Sequence, residues 1–111
     1  MNHQARARLY HDVGKYVART ARNLPDGELD RELMEMVARD LYELRPGRRA
    51  SAVFDELRAP DPRLDEIRVF LQAIDQLEPR VRAHDEAAVR GVAALALEVE
   101  RRLRDYLGES A

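Results

Sequence analysis

The sequence predicts an all-α protein: an antiparallel helical bundle of four long helices plus one short helix, in a single domain over residues 1–111. Three observations carry this. Apolar residues recur at helical spacing in every long segment. No alternating apolar–polar run is long enough to make a strand. Breaks of a few residues, containing proline or glycine, separate the segments. Each long segment is apolar on one side only, so each needs partners to cover it.

The elements follow in chain order. Helix 1 is expected from about Gln4 to Asn23, with Leu9, Val13, Tyr16, Val17, Thr20 and Leu24 on its apolar face and Pro25-Asp26-Gly27 as its stop. The second helix restarts near Glu28 with Asp26 as its N-cap and Leu29, Leu33, Met36, Val37, Leu41 and Leu44 as its stripe, ending at Arg45-Pro46-Gly47. A short helix is expected over Ser51 to Arg58, with Val53, Phe54 and Leu57 inward. Asp61 then caps a helix with Pro62 in its first position, a pairing that suits the fixed φ of proline. Its face is Leu64, Ile67, Phe70, Leu71, Ile74 and Leu77, and Pro79 ends or kinks it. The last helix runs from about Asp85 to Leu107, with Gly108 as its stop. Val89, Val92, Ala96, Val99, Leu103, Tyr106 and Leu107 share a face, flanked by Leu95 and Leu97. So wide a stripe asks for a second contact, with another helix or, in a homodimer, another subunit.

Composition narrows the function. The absence of cysteine removes disulfides, thiolate metal sites and cysteine nucleophiles. With 19 basic and 21 acidic residues, neither sign dominates. The expectation is therefore no nucleic acid and no membrane as partner. No apolar run of signal-peptide or membrane-spanning length occurs, and a cytoplasmic protein is expected. Tyr10, Tyr16, Tyr42 and Tyr106 are expected at helix edges with their hydroxyls in water, and Met34 and Met36 as ordinary filler.

One stretch hints at chemistry. His11-Asp12-Val13-Gly14-Lys15 contains the single lysine of the chain; the other eighteen basic residues are arginine. On helix 1, His11 falls opposite Leu9 and Val13, on an outer face shared with Arg8, Lys15, Ala18 and Arg22. An exposed imidazole among small neighbours, with a cation one turn on and a carboxylate beside it, suits a phosphoacceptor. Here Gly14 and Ala18 would leave docking room, Lys15 would steady the phosphoryl group and Asp12 would hold the ring tautomer or take its proton. The arrangement is similar to histidine phosphotransfer bundles, although Gly14 precedes Lys15 here. That resemblance implies a receiver-type signalling domain as partner.

The same pentapeptide, led by Leu9-Tyr10, resembles the signature of the HD superfamily of metal-dependent phosphohydrolases. The resemblance covers about seven residues. It implies an all-α fold with His11 and Asp12 as metal ligands, joined by a further histidine upstream and an aspartate downstream. His3 lies only eight residues before His11, and Asp55, Asp75 and Asp85 stay open for the last position. With that ligand set incomplete, it implies a degenerate relative.

A second pair, His84-Asp85, reads as a loop residue followed by an N-cap. Arg45, Arg48 and Arg49 complement a helix C-terminus. Arg101, Arg102 and Arg104 belong to a salt-bridge-laced surface with Glu98, Glu100 and Asp105. The sequence thus reads as a non-catalytic module of protein interaction or signalling that needs no cofactor. His11, Asp12 and Lys15 are the residues to watch.

Overall fold

A computed structural model describes residues 16–43 and 62–110. Among the described residues the chain is all helical, with no strand. The helices are α1 (Tyr16–Arg22), α2 (Arg31–Tyr42), α3 (Pro62–Gln76), α4 (Glu78–Arg82) and α5 (Glu86–Ser110). The expected short helix over residues 51–58, the stop at residues 45–47, Leu44 and the Asp61 cap lie outside the described residues. No described helix is long and apolar enough to cross a membrane.

α5 is the spine. It packs against each of the other four helices, most extensively against α1 and α3. Its expected face is the core itself: Val89, Val92, Ala96, Val99 and Leu103 are each at most 1 % exposed. From α3 come Leu64, Ile67, Leu71 and Ile74, and Phe70 and Leu77 pack against them. Complete burial of such side chains is worth about 1.5–3 kcal/mol each. The wide stripe on α5 is partly accounted for within the chain. Leu95 packs on the core, whereas Leu97 stays exposed.

Several expectations are corrected. α2 begins at Arg31, not near Glu28, and Asp30, not Asp26, is its N-cap. Asp30 has extended backbone, and its carboxylate accepts from the Leu33 N–H at 2.8 Å. The cause is tertiary. α5 holds the connection outside the helix: Glu86 Oε1 accepts from the Leu29 N–H at 2.8 Å, and the Arg90 guanidinium donates to the carbonyls of Pro25, Asp26 and Gly27. Those contacts satisfy polar groups that helix formation would otherwise claim. α5 runs on through Gly108 to Ser110, because a helical glycine costs only about 1 kcal/mol against alanine. The expected end of the helix at Pro79 holds: α3 stops at Gln76, since the proline ring would meet the carbonyl of Asp75 and has no N–H to bond it. Leu77 separates α3 from α4, and Pro79 sits in the first turn of α4, where its missing N–H is no loss.

Two side chains also differ. Tyr42 is buried, and its hydroxyl donates to the Ile74 carbonyl at 2.6 Å, tying α2 to the end of α3. On α2 the buried face is Met34, Val37, Ala38, Leu41 and Tyr42. That phase leaves Leu33 half-buried at its edge and Met36 exposed on the far side.

Candidate functional site

His11, Asp12 and Lys15 lie outside the described residues, as do His3, Tyr10, Arg45, Arg48, Arg49 and Asp55. α1, which covers the later part of the stretch expected as helix 1, does bear on the face expected to be open. Ala18 is completely buried, and Ala21 packs on the core. Arg22 forms an ion pair with Glu100 of α5, the one charged residue among the buried described set. The expected outward orientation of Ala18 is therefore corrected, whereas Arg22 stays exposed, as expected, while pairing with Glu100. A small side chain on an amphipathic helix serves close helix–helix approach as readily as an open surface, and here α5 occupies the space.

The His84-Asp85 pair is described in full, and each residue has a local role. α4 closes with the Asp85 N–H bonded to the Arg80 carbonyl and the His84 N–H to the Val81 carbonyl, both at 3.1 Å. This is the Schellman pattern, and its left-handed position is held by His84 at φ 60°. Asp85 then caps α5. One of its oxygens accepts from the Ala88 N–H at 3.3 Å, the other from Arg80 Nε at 2.9 Å. The Arg80 guanidinium, and after it the Ala88 N–H, hold the Asp85 carboxyl below its usual pKa range. With both oxygens engaged, Asp85 is a capping residue, as the sequence suggests.

Glycine at position 84 would relieve the left-handed strain. His84→Gly is expected to raise stability by about 1 kcal/mol, and His84→Ala to change it far less, in urea unfolding followed by circular dichroism. A loss with glycine would mean that the imidazole contact outweighs the backbone term. That contact joins His84 Nε2 to Glu35 Oε1 at 3.3 Å, and the same oxygen accepts from Arg31 Nε. Around it lies an open hollow of about 280 Å³, lined by Glu35, Ala38, Arg39, Glu43, Val81, Arg82 and His84. Arg82 is committed to Glu78 and Glu43 and stacks over the Tyr42 ring. Carboxylates and cations alternate, so the hollow favours neither an anion nor a cation.

The groove between α3 and α5, of about 220 Å³, is similarly closed in charge. Arg101 pairs with Glu98 and Asp105, Arg102 with Glu98 and Glu66, and Arg63 stacks over Tyr106 at 4.7 Å. Arg101, and after it Arg102, lower the Glu98 pKa from 4.5 to about 2. A depressed carboxylate pKa stabilises the fold above the unfolded value, and that stability fades as pH falls toward the folded one. The Glu98 carboxyl is expected to titrate near pH 2 by carbon-detected NMR, and its contribution to be lost between pH 4.5 and about 2. An ordinary midpoint in high salt alone would identify simple screening of an exposed network.

A third hollow has no counterpart among the sites expected from the sequence. It lies on the outer side of α2, measures about 350 Å³, and is lined by Asp30, Glu32, Leu33, Met36 and Arg39. Met36 is 38 % exposed here. A signal for it does exist in the sequence. Leu33, Met34, Met36, Val37, Ala38 and Leu41 cover more of a helix circumference than one buried face can, so part of the set must stay outside. Among the described residues no group of three His, Asp or Glu side chains is placed to hold a metal ion. Comparison with protein-family models, with curated proteins and with solved structures gives no match.

Proposed function

We propose that this protein is a small interaction module of a cytoplasmic signalling system, non-catalytic, which engages another protein through the outer face of α2. The fold that goes with this reading is an antiparallel bundle of four long helices and one short one, with α5 as its central member. One observation carries the proposal: Leu33 and Met36 line an open hollow on α2 while the opposite face of the same helix is closed into the core. An exposed methionine in a concave place is a means of adapting to a partner side chain, since the thioether chain is flexible and polarisable. The hollows beside His84 and between α3 and α5 are bordered mainly by charges already paired with one another.

The reading is tested in living cells with a photo-crosslinking amino acid in place of Met36, and in a second strain in place of Val69. Val69 is the more exposed of the two, at 62 %, but lies on α3. Discrete adducts from position 36 alone support the proposal. No adduct from position 36, or the same adducts from both, overturns it.

The His11-Asp12 motif supports a second reading, a degenerate relative of the HD phosphohydrolases completed by a partner. Stoichiometric metal in the purified protein, lost in His11→Gln together with phosphomonoesterase activity, would raise it to first place. Phosphoryl relay through His11 ranks last. It relies on an open face around Ala18, and Ala18 is buried. Transfer of a phosphoryl group from a phosphorylated receiver domain, absent in His11→Gln, would restore it.

A further inference from the structure

We infer that the partner surface received by the α2 hollow is a basic amphipathic segment, which places an apolar side chain between Leu33 and Met36 and its lysines or arginines against Asp30 and Glu32. This rests on the reading of the hollow as an interaction site and names the chemistry of its occupant. The argument is one of shape and charge together. Leu33 and Met36 supply the apolar part of its lining, and Asp30 and Glu32 line it at the N-terminal end of α2. The approach to that end is acidic as well. Asp26, Glu28, Asp30 and Glu32 are all exposed; of the cations near them, Arg31 is bonded through its Nε to Glu35, and Arg90 is held by the carbonyls of Pro25, Asp26 and Gly27 and by Glu86.

Part of that charge has a local purpose. Asp30 caps α2, and a carboxylate in the first turn is favoured by the helix dipole. That purpose does not account for Asp26 and Glu28, which precede the cap, nor for the exposed thioether beside the carboxylates. An acidic or neutral partner would bring like charge, or none, to Asp30 and Glu32, and charge mismatch of this kind disfavours association. Arg39, at the other end of the hollow, gives the site a direction: cations of the partner belong toward Asp30, and its polar or acidic end toward Arg39. The recognition mode is then an apolar anchor with charged flanks, laid along a helix.

The test uses the full chain and three labelled peptides of equal length, followed by fluorescence anisotropy. One is an amphipathic leucine/lysine helix, one has the same apolar pattern with glutamate for lysine, and one has the same lysines with serine for leucine. The leucine/lysine peptide is expected to bind about tenfold more tightly than either control. Met36→Arg is expected to weaken it about tenfold and Glu32→Gln about threefold, with circular dichroism confirming that both variants fold. Binding should fall between about 50 and about 200 mM salt. Equal binding of the glutamate peptide, or leucine/lysine binding indifferent to Met36→Arg, overturns the inference. If adducts form from position 36 in cells while the peptides are not discriminated, the charge assignment alone fails and the interaction reading stands. If adducts are absent too, both fall.

Discussion

Arg22→Ala is expected to destabilise the protein by about 3 kcal/mol, whereas Glu100→Leu changes stability by less than about 1 kcal/mol. The asymmetry follows from where the two charges sit. The Glu100 side chain is 8 % exposed on α5, and the Arg22 side chain is 45 % exposed at the end of α1. Removing the arginine strands a carboxylate in the α1–α5 contact, and a buried charge that loses its partner keeps its full desolvation cost. Removing the glutamate leaves a guanidinium that can turn into water on a flexible stem. The double variant, Arg22→Met with Glu100→Leu, should be close to the parent. Urea unfolding of the four proteins decides it. Equal losses for the two single variants, with a double variant that loses their sum, would show that the pair is not a coupled buried unit.

The second large effect belongs to the core. Ile67→Ala should cost about 3 kcal/mol and lower Tm by roughly 12 °C, because both transfer free energy and cavity terms are lost. Ile67 is 1 % exposed on α3, the helix that packs most extensively on α5. Val69→Ala, two residues along the same helix, should change stability by less than about 0.5 kcal/mol, since Val69 is 62 % exposed. A thermal melt of the two variants makes the comparison. A loss of similar size at both positions would mean that α3 is rotated from the described packing.

How much of the candidate site could be read in the residues differs from place to place. Asp85 as an N-cap and His84 as a loop residue were legible, because capping chemistry is local: a carboxylate three residues before an amide in a first turn. That the imidazole occupies a left-handed position was not legible, since glycine or asparagine is the usual signal. The burial of Ala18 is not legible, because alanine fits an exposed face and a packed one equally well. Nor is the partner of the exposed Arg22, since Glu100 lies 78 residues further along the chain. The α2 hollow was missed for a related reason. Periodicity shows that α2 has an apolar face but leaves its phase uncertain when apolar residues cover more than half the circumference.

The sequence by itself determined that the described chain is helical, where α3 begins, and which residues of α3 and α5 form the core. Those properties depend on spacing of 3.6 residues and on proline and capping chemistry, both of which act within a few residues. Tertiary structure alone decided that α2 is capped by Asp30 and not by Asp26, that Tyr42 turns its hydroxyl inward to Ile74, and that Met36 faces out. In each case the deciding atoms come from a distant helix: Glu86 and Arg90 on the connection, the Ile74 carbonyl on the tyrosine, and the packing of α2 on its neighbours. A contact between segments so far apart in the chain leaves no local trace in either one.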